Sequence, residues 1–321
     1  MVRKVSVIGA AGNIGSSIVN NLIYTGICDE IIGCDISSDV VSGRILDISQ
    51  SMTVFGKSTK VYGTNDYSYI KDSDVVIVPA GFPRKPGMTR EDLLEKNISI
   101  IKDVTDNIKA YAQNAFVIII TNPLDIMVLS AFKMLGFDKS KVVGMAGVLD
   151  SARLKYQISQ LLNVNPDIIS PMVVGAHNDF MVPLLRYTTI SGIPFTHFIK
   201  DGTVTSRQAD DIIKNVKNGG AEIVKLLGNG SAFYGPATSA VLMADCVLNN
   251  KSRILPCSTL LTGQYGVSDL FVGTPVLLDK SGVSRVIELD LEDEEKKLFD
   301  ESVNSIKVAY HNSEEIIDSF C

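Results

Sequence analysis

The chain has 321 residues, of which 45% are hydrophobic, and its 30 basic and 36 acidic side chains give a formal net charge of −6. A chain of this length favours two domains, and its acidic balance excludes the basic footprint by which proteins bind nucleic acid. No stretch of about 18 apolar residues predicts a membrane span, and the amino terminus lacks the apolar core of a signal peptide. We therefore expect neither a nucleic-acid partner nor a membrane.

The cysteines are scattered and are never spaced as Cys-x-x-Cys. Their number is odd, and they stand at Cys28, Cys34, Cys246, Cys257 and Cys321. Disulfide frameworks and zinc sites have other patterns, and reduced thiols are typical of the cytoplasm. We therefore predict a cytoplasmic protein without a metal site.

The first predicted strand, residues 4–8, leads through a glycine-rich turn into a predicted helix, residues 16–24. Such a turn lets the backbone approach a pyrophosphate, which the positive end of the helix also attracts. The spacing, Gly-x-x-Gly-x-x-Gly, is one residue wider than the usual dinucleotide fingerprint, so the motif alone is a weak signal. The residues predicted to contact a dinucleotide here are Gly9, Ala10, Ala11, Gly12, Asn13, Ile14 and Gly15.

A carboxylate, Asp35, stands at the end of the second predicted strand, residues 30–34. An acid about 20 residues after the glycine turn can accept hydrogen bonds from the adenosine ribose hydroxyls. It would repel a 2′-phosphate, and the next residues, 36–38, include no arginine. We therefore predict NAD rather than NADP as the cofactor. The alternative for Asp35 is a turn-forming acid at a strand end.

Helix and strand patterns then alternate, over residues 41–49, 60–62, 75–78, 93–111, 115–120, 124–135 and 142–144. This alternation predicts an α/β fold with a Rossmann-type, doubly wound parallel sheet. Because ligands bind such sheets at the carboxyl ends of the strands, residues at or near that edge are further candidates for contact with the cofactor. They are Asn97, Ile120, Thr121 and Asn122. Taken singly, Asn97 is a surface residue, and Asn122 belongs to an Asn-Pro turn.

A loop rich in glycine and proline follows the fourth strand, over residues 80–90. It contains three cations and no acid: Arg84, Lys85 and Arg90. Long loops on compact domains are often lids or binding loops, and each guanidinium offers a planar fork to a carboxylate. The loop therefore suits an anion with two carboxylates. The alternative is a solvated basic loop.

The second half of the chain contains an acid, an arginine and a histidine that are candidates for catalysis and substrate binding. Asp150 opens a predicted helix and has Arg153 on the same helix face, while His177 follows an apolar strand in a turn. The alternatives are a helix-terminal acid with a local ion pair and a core histidine with one satisfied hydrogen bond. The other histidines, His197 in a loop and His311 on the last helix, are predicted at the surface.

The rest of the chain combines antiparallel strands with long helices. The predicted elements are a helix over 204–228 bent at Gly219-Gly220, a helix over 237–249, strands over 275–278 and 283–289, and a terminal helix over 292–320. Asp279-Lys280-Ser281-Gly282 joins the two strands with a hairpin signature. Because the alternation ends near residue 147, we predict a dinucleotide-binding domain over 1–147 and an α+β substrate-binding and catalytic domain over 148–321.

Together these segments resemble the lactate/malate dehydrogenase family over essentially the whole chain. The matching motifs are, in family order, Gly9 to Gly15, Pro83 to Arg90, Leu149 to Arg153 and Gly175 to Asp179. The resemblance is closest to members that oxidise malate, because an arginine, Arg84, stands at the specificity position. It implies reversible NAD-dependent oxidation of (S)-malate to oxaloacetate, a reaction of the tricarboxylic acid cycle, with lactate and pyruvate as the alternative substrates.

The resemblance also implies a role for each site residue. His177 would exchange a proton with the C2 oxygen, while Asp150 would fix its tautomer and stabilise the imidazolium. Arg153 would bind the C1 carboxylate through its planar fork. Arg90, assisted by Asn122, would polarise the C2 oxygen, where charge develops.

Arg84 would select the substrate, because a guanidinium that faces the methyl group of pyruvate has no partner. An unmatched buried charge costs roughly 2–5 kcal/mol, which favours oxaloacetate by about 30-fold or more. One residue departs from the family, since Asn178 follows the histidine where glycine is usual. Asparagine tolerates a left-handed backbone better than most residues, so we expect the turn to keep that conformation.

Two other classes of protein fit part of the pattern. Short-chain dehydrogenases share the glycine spacing but use Tyr-x-x-x-Lys, which occurs at Tyr67 and Lys71, too early in the chain for that chemistry. A non-catalytic NAD-binding protein would need no acid–base pair. Since members of the family that the chain resembles form dimers or tetramers, the resemblance implies a homotetramer, or alternatively a homodimer.

Overall fold

The apolar runs of the first half become the strands of one parallel sheet. The fold is that of a computed structural model, described for residues 2–82, 90–228 and 230–320 and without the side chain of Arg90. Valine and isoleucine dominate the runs because β-branched side chains suit a sheet that is covered on both faces. The strands are β1 Lys4–Ile8, β2 Glu30–Cys34, β3 Lys60–Thr64, β4 Val75–Val78, β5 Phe116–Ile119 and β6 Val142–Gly144.

The parallel strands lie in the order β3-β2-β1-β4-β5-β6. This is the doubly wound order of dinucleotide-binding folds, in which the crevice at the reversal between β1 and β4 binds the ligand. The α/β fold class predicted from the alternation is confirmed. The helices of this half are α1 Asn13–Thr25, α2 Ser38–Val54, α3 Arg90–Tyr111, α4 Leu124–Leu135 and α5 Gly147–Leu162.

Antiparallel strands of the second half extend the same sheet. The strands that extend it are β12 Arg253–Thr262, β13 Ser268–Asp279 and β14 Gly282–Val286. Two small antiparallel sheets are separate from it: one is formed by β7 Ile169–Ser170, β10 Thr189–Ile190 and β11 Ile193–Pro194, and the other by β8 Val173–Val174 and β9 Val182–Pro183. β12 pairs with β6 at Ser258 and Gly144, and with β13 along its length. The hairpin signature is confirmed, because Asp279 pairs with Gly282. β12 was not predicted.

The predicted single helix through Gly219-Gly220 is confirmed, because α7 continues through both glycines. The helices of this half are α6 Phe195–Lys200, α7 Ser206–Leu227, α8 Tyr234–Leu248, α9 Asp293–His311 and α10 Glu314–Phe320. A Cβ added at Gly219 would lie 3.3 Å from Cδ of Arg153. The glycines therefore let α7 approach that arginine closely.

The predicted terminal helix is two helices, with a break at Ser313. The buried Ser313 hydroxyl lies 2.9 Å from the carbonyl oxygens of both Ala309 and Tyr310, at the end of α9. The turn allows Ile317 of α10 to be fully buried. Two smaller differences concern α5, which begins at Gly147 rather than Asp150, and His197, which lies on α6 rather than in a loop.

Two hydrophobic clusters cover the faces of the sheet. α1 and α8 pack on one face, and α3 and α4 pack on the other. The small side chains of α8, Ala237, Ala240 and Ala244, are fully buried there and allow close packing against α1. Along the described parts of the chain, no helix is both long enough and apolar enough to cross a membrane.

The cysteines that the structure describes are buried free thiols: Cys28, Cys34, Cys246 and Cys257. Burial raises the pKa of Cys28 and of Cys34 to about 12, and that of Cys246 to about 11. Thiols of this kind are small hydrophobic core residues and poor nucleophiles at neutral pH.

Candidate active site

A cleft at the carboxyl edge of the parallel sheet collects candidate residues from both halves of the chain. Its lining includes the ends of β4 and β5, the start of α5, the turn that carries His177, and one side of α7. The sequence-predicted residues that line it are Ile14, Asn97, Ile120, Thr121, Asn122, Arg153 and His177. The doubly wound topology explains the part that comes from the first half, because β4 and β5 end, and α5 begins, at the same edge of the sheet.

One buried carboxylate holds both the histidine and the arginine. Asp150 is only 2% exposed; its Oδ2 lies 2.8 Å from Nδ1 of His177, and its Oδ1 accepts a hydrogen bond from Nη1 of Arg153 at 3.1 Å. A carboxylate only accepts, so Nδ1 carries the proton of the neutral imidazole. Nε2 makes no hydrogen bond within the described parts of the chain, and it is therefore free to meet a ligand in the cleft.

The environment of His177 favours its charged form. Burial of the imidazole opposes the positive charge, but the negative charge of Asp150 and the hydrogen bond to it outweigh this effect, so the pKa of His177 is raised above its ordinary value. An imidazole with its pKa near the operating pH can both take up and release a proton. The pair therefore has the chemistry of a general acid and base.

The turn before His177 is held by three consecutive backbone N–H groups. Gly175 N–H donates to the carbonyl of Gly273 on β13 at 2.7 Å, and Ala176 N–H donates to Oγ of Ser302 on α9 at 2.7 Å. His177 N–H donates to Oδ2 of Asp125 at 2.9 Å. The turn is thus anchored to β13, α9 and α4 at successive residues.

Asn178 does not adopt the left-handed conformation that we expected. The positive φ of the turn, 88°, belongs to Gly175, where an added Cβ would lie 2.4 Å from Oγ of Ser302. The Asn178 side chain instead accepts from Phe180 N–H at 2.8 Å and donates to Oγ of Ser305 at 3.2 Å. Asparagine in place of glycine therefore adds a contact to α9.

The glycine turn between β1 and α1 fits a dinucleotide. A Cβ added at Gly15 would lie 2.2 Å from the carbonyl oxygen of Gly9, and Gly9 itself has a φ of 98°. Only glycine allows this tight approach of turn to helix. α1 begins at Asn13 with no side-chain cap and no acid in its first turn, so its positive end is left for an anion.

Asp35 also closes the glycine turn. Its Oδ2 accepts from Ala11 N–H at 3.0 Å, and its Oδ1 accepts from Ser37 N–H at 3.0 Å. A carboxylate has about four acceptor positions, so two remain for ribose hydroxyls. The turn-forming alternative for Asp35 and the ribose-binding prediction are thus compatible.

Arg44 was not singled out from the sequence, although it reaches the same turn. From α2, its Nη1 donates to Oγ of Ser16 at 2.9 Å and its Nη2 to Oδ1 of Asn13 at 3.2 Å. The prediction that no arginine follows Asp35 holds for residues 36–38 only. The signal available in the sequence was the position of Arg44 on α2, a helix that packs beside α1.

Asn97 is buried and not at the surface. It is 2% exposed; its Oδ1 accepts from Phe82 N–H at 2.7 Å and its Nδ2 donates to the carbonyl of Asn122 at 2.8 Å. Thr121 Oγ1 likewise donates to the carbonyl of Ala80 at 2.5 Å. These bonds tie the segment after β4 to the segment after β5, while the side chain of Asn122 stays exposed at the cleft.

The side chains of two predicted substrate-binding residues lie outside the described structure. Arg84 is not among the described residues, and only the backbone of Arg90, the first residue of α3, is described. A cation that was not predicted, Lys217 of α7, lines the cleft and is half-buried. It lies about three turns into α7, far in sequence from every motif, so the sequence offered no signal for it.

The Tyr-x-x-x-Lys pattern does not form a site. Tyr67 begins a short 3-10 turn, and burial raises the pKa of its hydroxyl, which is the reverse of what a catalytic tyrosine needs. Lys71 lines a different cleft, beside Asp74 and Phe116, at the amino ends of the strands. The short-chain dehydrogenase interpretation is therefore not supported.

A dinucleotide crevice next to an imidazole–carboxylate–guanidinium group defines a class of protein, the nicotinamide-dependent dehydrogenases of hydroxy acids. This chain belongs to the lactate/malate dehydrogenase family. The family model described as the lactate/malate dehydrogenase NAD binding domain matches residues 3–144, and that described as the alpha/beta C-terminal domain matches residues 147–316. The chain is an NAD-dependent oxidoreductase.

Relatives and solved structures agree with this assignment. The malate dehydrogenase of Pelagibacter ubique is 46% identical over 98% of both chains. The crystal structure of Cryptosporidium parvum malate dehydrogenase has a TM-score of 0.92 and 46% identity, covering 100% of this chain and 99% of that one. The lactate dehydrogenase of the same organism, complexed with lactic acid and NAD, also has a TM-score of 0.92, with 39% identity and coverage of 100% and 98%.

Proposed function

We propose that this enzyme is a malate dehydrogenase that interconverts (S)-malate and oxaloacetate with NAD. The observation that carries the proposal is the Asp150 carboxylate, which holds an imidazole and a guanidinium side by side at the cleft. The imidazole can exchange the proton of a 2-hydroxyl group while the guanidinium binds the adjacent carboxylate. Malate dehydrogenases at 46% identity over nearly the full length support the choice of substrate.

The charge of each site residue determines the role that we assign to it. NAD, when bound, accepts the hydride that leaves C2, and the residues from Gly9 to Gly15 with Asp35, Asn97, Ile120, Thr121 and Asn122 would hold it. His177 takes the hydroxyl proton of malate, or returns it to oxaloacetate, and Asp150 stabilises the imidazolium. Arg153 binds the C1 carboxylate, while Arg90 and Asn122 stabilise negative charge at the C2 oxygen.

We further propose that Arg84 meets the second carboxylate of the substrate. Lactate dehydrogenase activity is the alternative function, because solved lactate dehydrogenases share this fold at 38% and 39% identity. A panel of 2-oxo acids, assayed with NADH and with NADPH at fixed pH, tests both assignments. We expect oxaloacetate with NADH to give the highest kcat/KM. Equal rates with pyruvate would overturn the choice of malate.

The two directions of the reaction should depend on pH in opposite ways. Reduction needs the imidazolium form of His177, so its kcat/KM falls as the pH rises through the raised pKa, whereas oxidation needs the neutral imidazole and rises there. Asp150→Asn keeps an acceptor for Nδ1 but removes the negative charge. The fall of kcat/KM for reduction and its rise for oxidation should then both occur at lower pH than in the wild type. If both changes stay at the same pH, a group other than His177 titrates.

Replacing Asp35 with serine should weaken the preference for NADH over NADPH. A hydrogen bond to a charged group contributes about 1.5–3 kcal/mol, so the ratio of kcat/KM values should fall by about 10- to 150-fold. Asp66→Ser is the matched control, because Asp66 accepts from Ser68 N–H at 2.8 Å just as Asp35 accepts from Ser37 N–H at 3.0 Å. An unchanged ratio for Asp35→Ser would leave Asp35 only its role in closing the turn.

We also propose a division of labour between residues 1–147, which bind the dinucleotide, and residues 148–321, which supply His177, Asp150 and Arg153. The start of α5 at Gly147, three residues after the end of β6 at Gly144, supports this boundary. The free, buried thiols support a reducing compartment, the cytoplasm. A fusion to a fluorescent protein, followed by cell fractionation, tests the compartment.

We propose a homotetramer, with a homodimer as the alternative. Large apolar side chains are exposed on and after α1 and α2, which is typical of surfaces that another chain covers. They are Tyr24, Val40, Leu46, Val54 and Phe55. Light scattering should give four times the chain mass of 34.7 kDa for the tetramer and twice that mass for the dimer. A mass of one chain would contradict both.

A further inference from the structure

Asp125 is a buried carboxylate to which the reaction scheme above assigns no role. It lies in the first turn of α4, and it is 7% exposed. Burial raises the pKa of its carboxyl, and the hydrogen bonds that it accepts from His177 and Ser258 work in the opposite direction. Because burying a carboxyl group away from water is costly unless both oxygens are bound, its partners define what it does.

Those partners come from two segments that are far from Asp125 in the chain. Oδ2 accepts from the backbone N–H of His177 at 2.9 Å, and Oδ1 accepts from Oγ of Ser258 at 2.9 Å. Ser258 is fully buried on β12, at the residue where β12 pairs with Gly144 of β6. Asp125 therefore joins α4 of the first half to the strand and the turn that carry the second half of the site.

The His177 imidazole is thus located by two carboxylates that act on different atoms. Asp150 binds the ring at Nδ1, and Asp125 binds the main chain of the same residue. The first bond sets the direction of the ring, and the second sets the position of the Cα atom from which the ring extends. With both bonds in place, the position of Nε2 in the cleft is determined.

We propose that Asp125 is a positioning residue, which holds the backbone of His177 so that Nε2 meets the C2 oxygen of the substrate. The proposal rests on the function proposed above, in which His177 is the acid and base. A misplacement of about 1 Å at a reacting group costs on the order of a hundredfold in rate. We expect the rate to depend more on the hydrogen bond to His177 N–H than on the negative charge of Asp125, although that charge also favours the imidazolium.

Two substitutions separate position from charge. Asp125→Asn keeps an acceptor oxygen in the same place and removes the charge, and its amide N–H₂ can donate to Ser258, whose hydroxyl accepts as well as donates. Asp125→Glu keeps the charge but moves the carboxylate by one methylene. If position matters, the asparagine variant is the faster enzyme; if charge matters, the glutamate variant is faster.

The experiment measures kcat and KM for oxaloacetate, and the Kd for NADH, in the full-length wild type and both variants, with folding checked by circular dichroism. For Asp125→Asn we expect a kcat within about fivefold of the wild type. For Asp125→Glu we expect a kcat lower by roughly tenfold to a hundredfold, with KM and the NADH Kd within about threefold. This split between kcat and KM is not expected of a residue that only stabilises the fold.

The opposite order, with Asp125→Glu faster than Asp125→Asn, would overturn the proposal, and so would two variants with the kcat of the wild type. Should Asp125→Glu not fold, Asp125→Ser takes its place: it is too short to reach His177 N–H, and a wild-type kcat in it would equally overturn the proposal. A wild type that does not reduce oxaloacetate at all would instead overturn the proposed function. The two failures are therefore distinguishable.

Discussion

Replacing His177 with asparagine is expected to lower kcat for oxaloacetate reduction at least a hundredfold, because positioned acid–base catalysis contributes about 10²- to 10⁴-fold. The asparagine amide can still hydrogen-bond to Asp150, but it has no proton to exchange near neutral pH. The only hydrogen bond of the imidazole within the described parts of the chain is to Asp150, so its loss leaves the bonds of the glycine turn and Asp35 in place. NADH should therefore bind within about twofold of its wild-type Kd, as measured by fluorescence titration.

The matched control for this prediction is His197→Asn. His197 is an exposed histidine on α6 whose Nε2 lies 3.7 Å from a carboxylate oxygen of Asp201, so it resembles His177 in type but not in environment. Its replacement should leave kcat unchanged. A His177→Asn enzyme that keeps most of its rate would remove His177 as the acid and base.

Replacing Arg84 with glutamine is expected to cost most of the oxaloacetate activity while sparing pyruvate. Among the described cations that line the cleft, Arg153 is already engaged with Asp150 and is assigned to the C1 carboxylate. A diacid brings a second carboxylate, which then needs another cation. The unmatched charge corresponds to roughly 2–5 kcal/mol, so the ratio of kcat/KM for oxaloacetate to that for pyruvate should fall by about 30-fold or more.

Lys217→Gln is the sharpest control for Arg84→Gln. Lys217 is the other described cation of the cleft, half-buried on α7, and it could bind the second carboxylate in place of Arg84. We expect its replacement to change the substrate ratio by less than about threefold. If Lys217→Gln lowers the ratio and Arg84→Gln does not, the specificity belongs to α7; if Arg84→Gln lowers both activities together, its assigned role is wrong.

Most strands of the first half could be predicted because they are short apolar runs bounded by turn residues. β2, β4, α4 and β6 have the bounds that the sequence indicated. The sequence read Gly219-Gly220 as a bend, which stays a prediction; glycine in a helix also allows a close neighbour, and only packing shows that this neighbour is Arg153. β12 was not predicted from the sequence. Its place in the sheet depends on pairing with β6, which lies far away in the chain.

Within the site, the residue types and their local spacing were determined by the sequence alone: the glycine turn, Asp35 after β2, Asp150 with Arg153, and His177 in its turn. Only the tertiary structure brought Asp150 to 2.8 Å from His177, placed Arg44 on the glycine turn, and joined Asp125 to the backbone of His177. The physical reason is the range of the interactions. Periodicity, turns and glycine spacing are properties of neighbouring residues, whereas a hydrogen bond between α4 and a turn 52 residues away exists only once the core has packed.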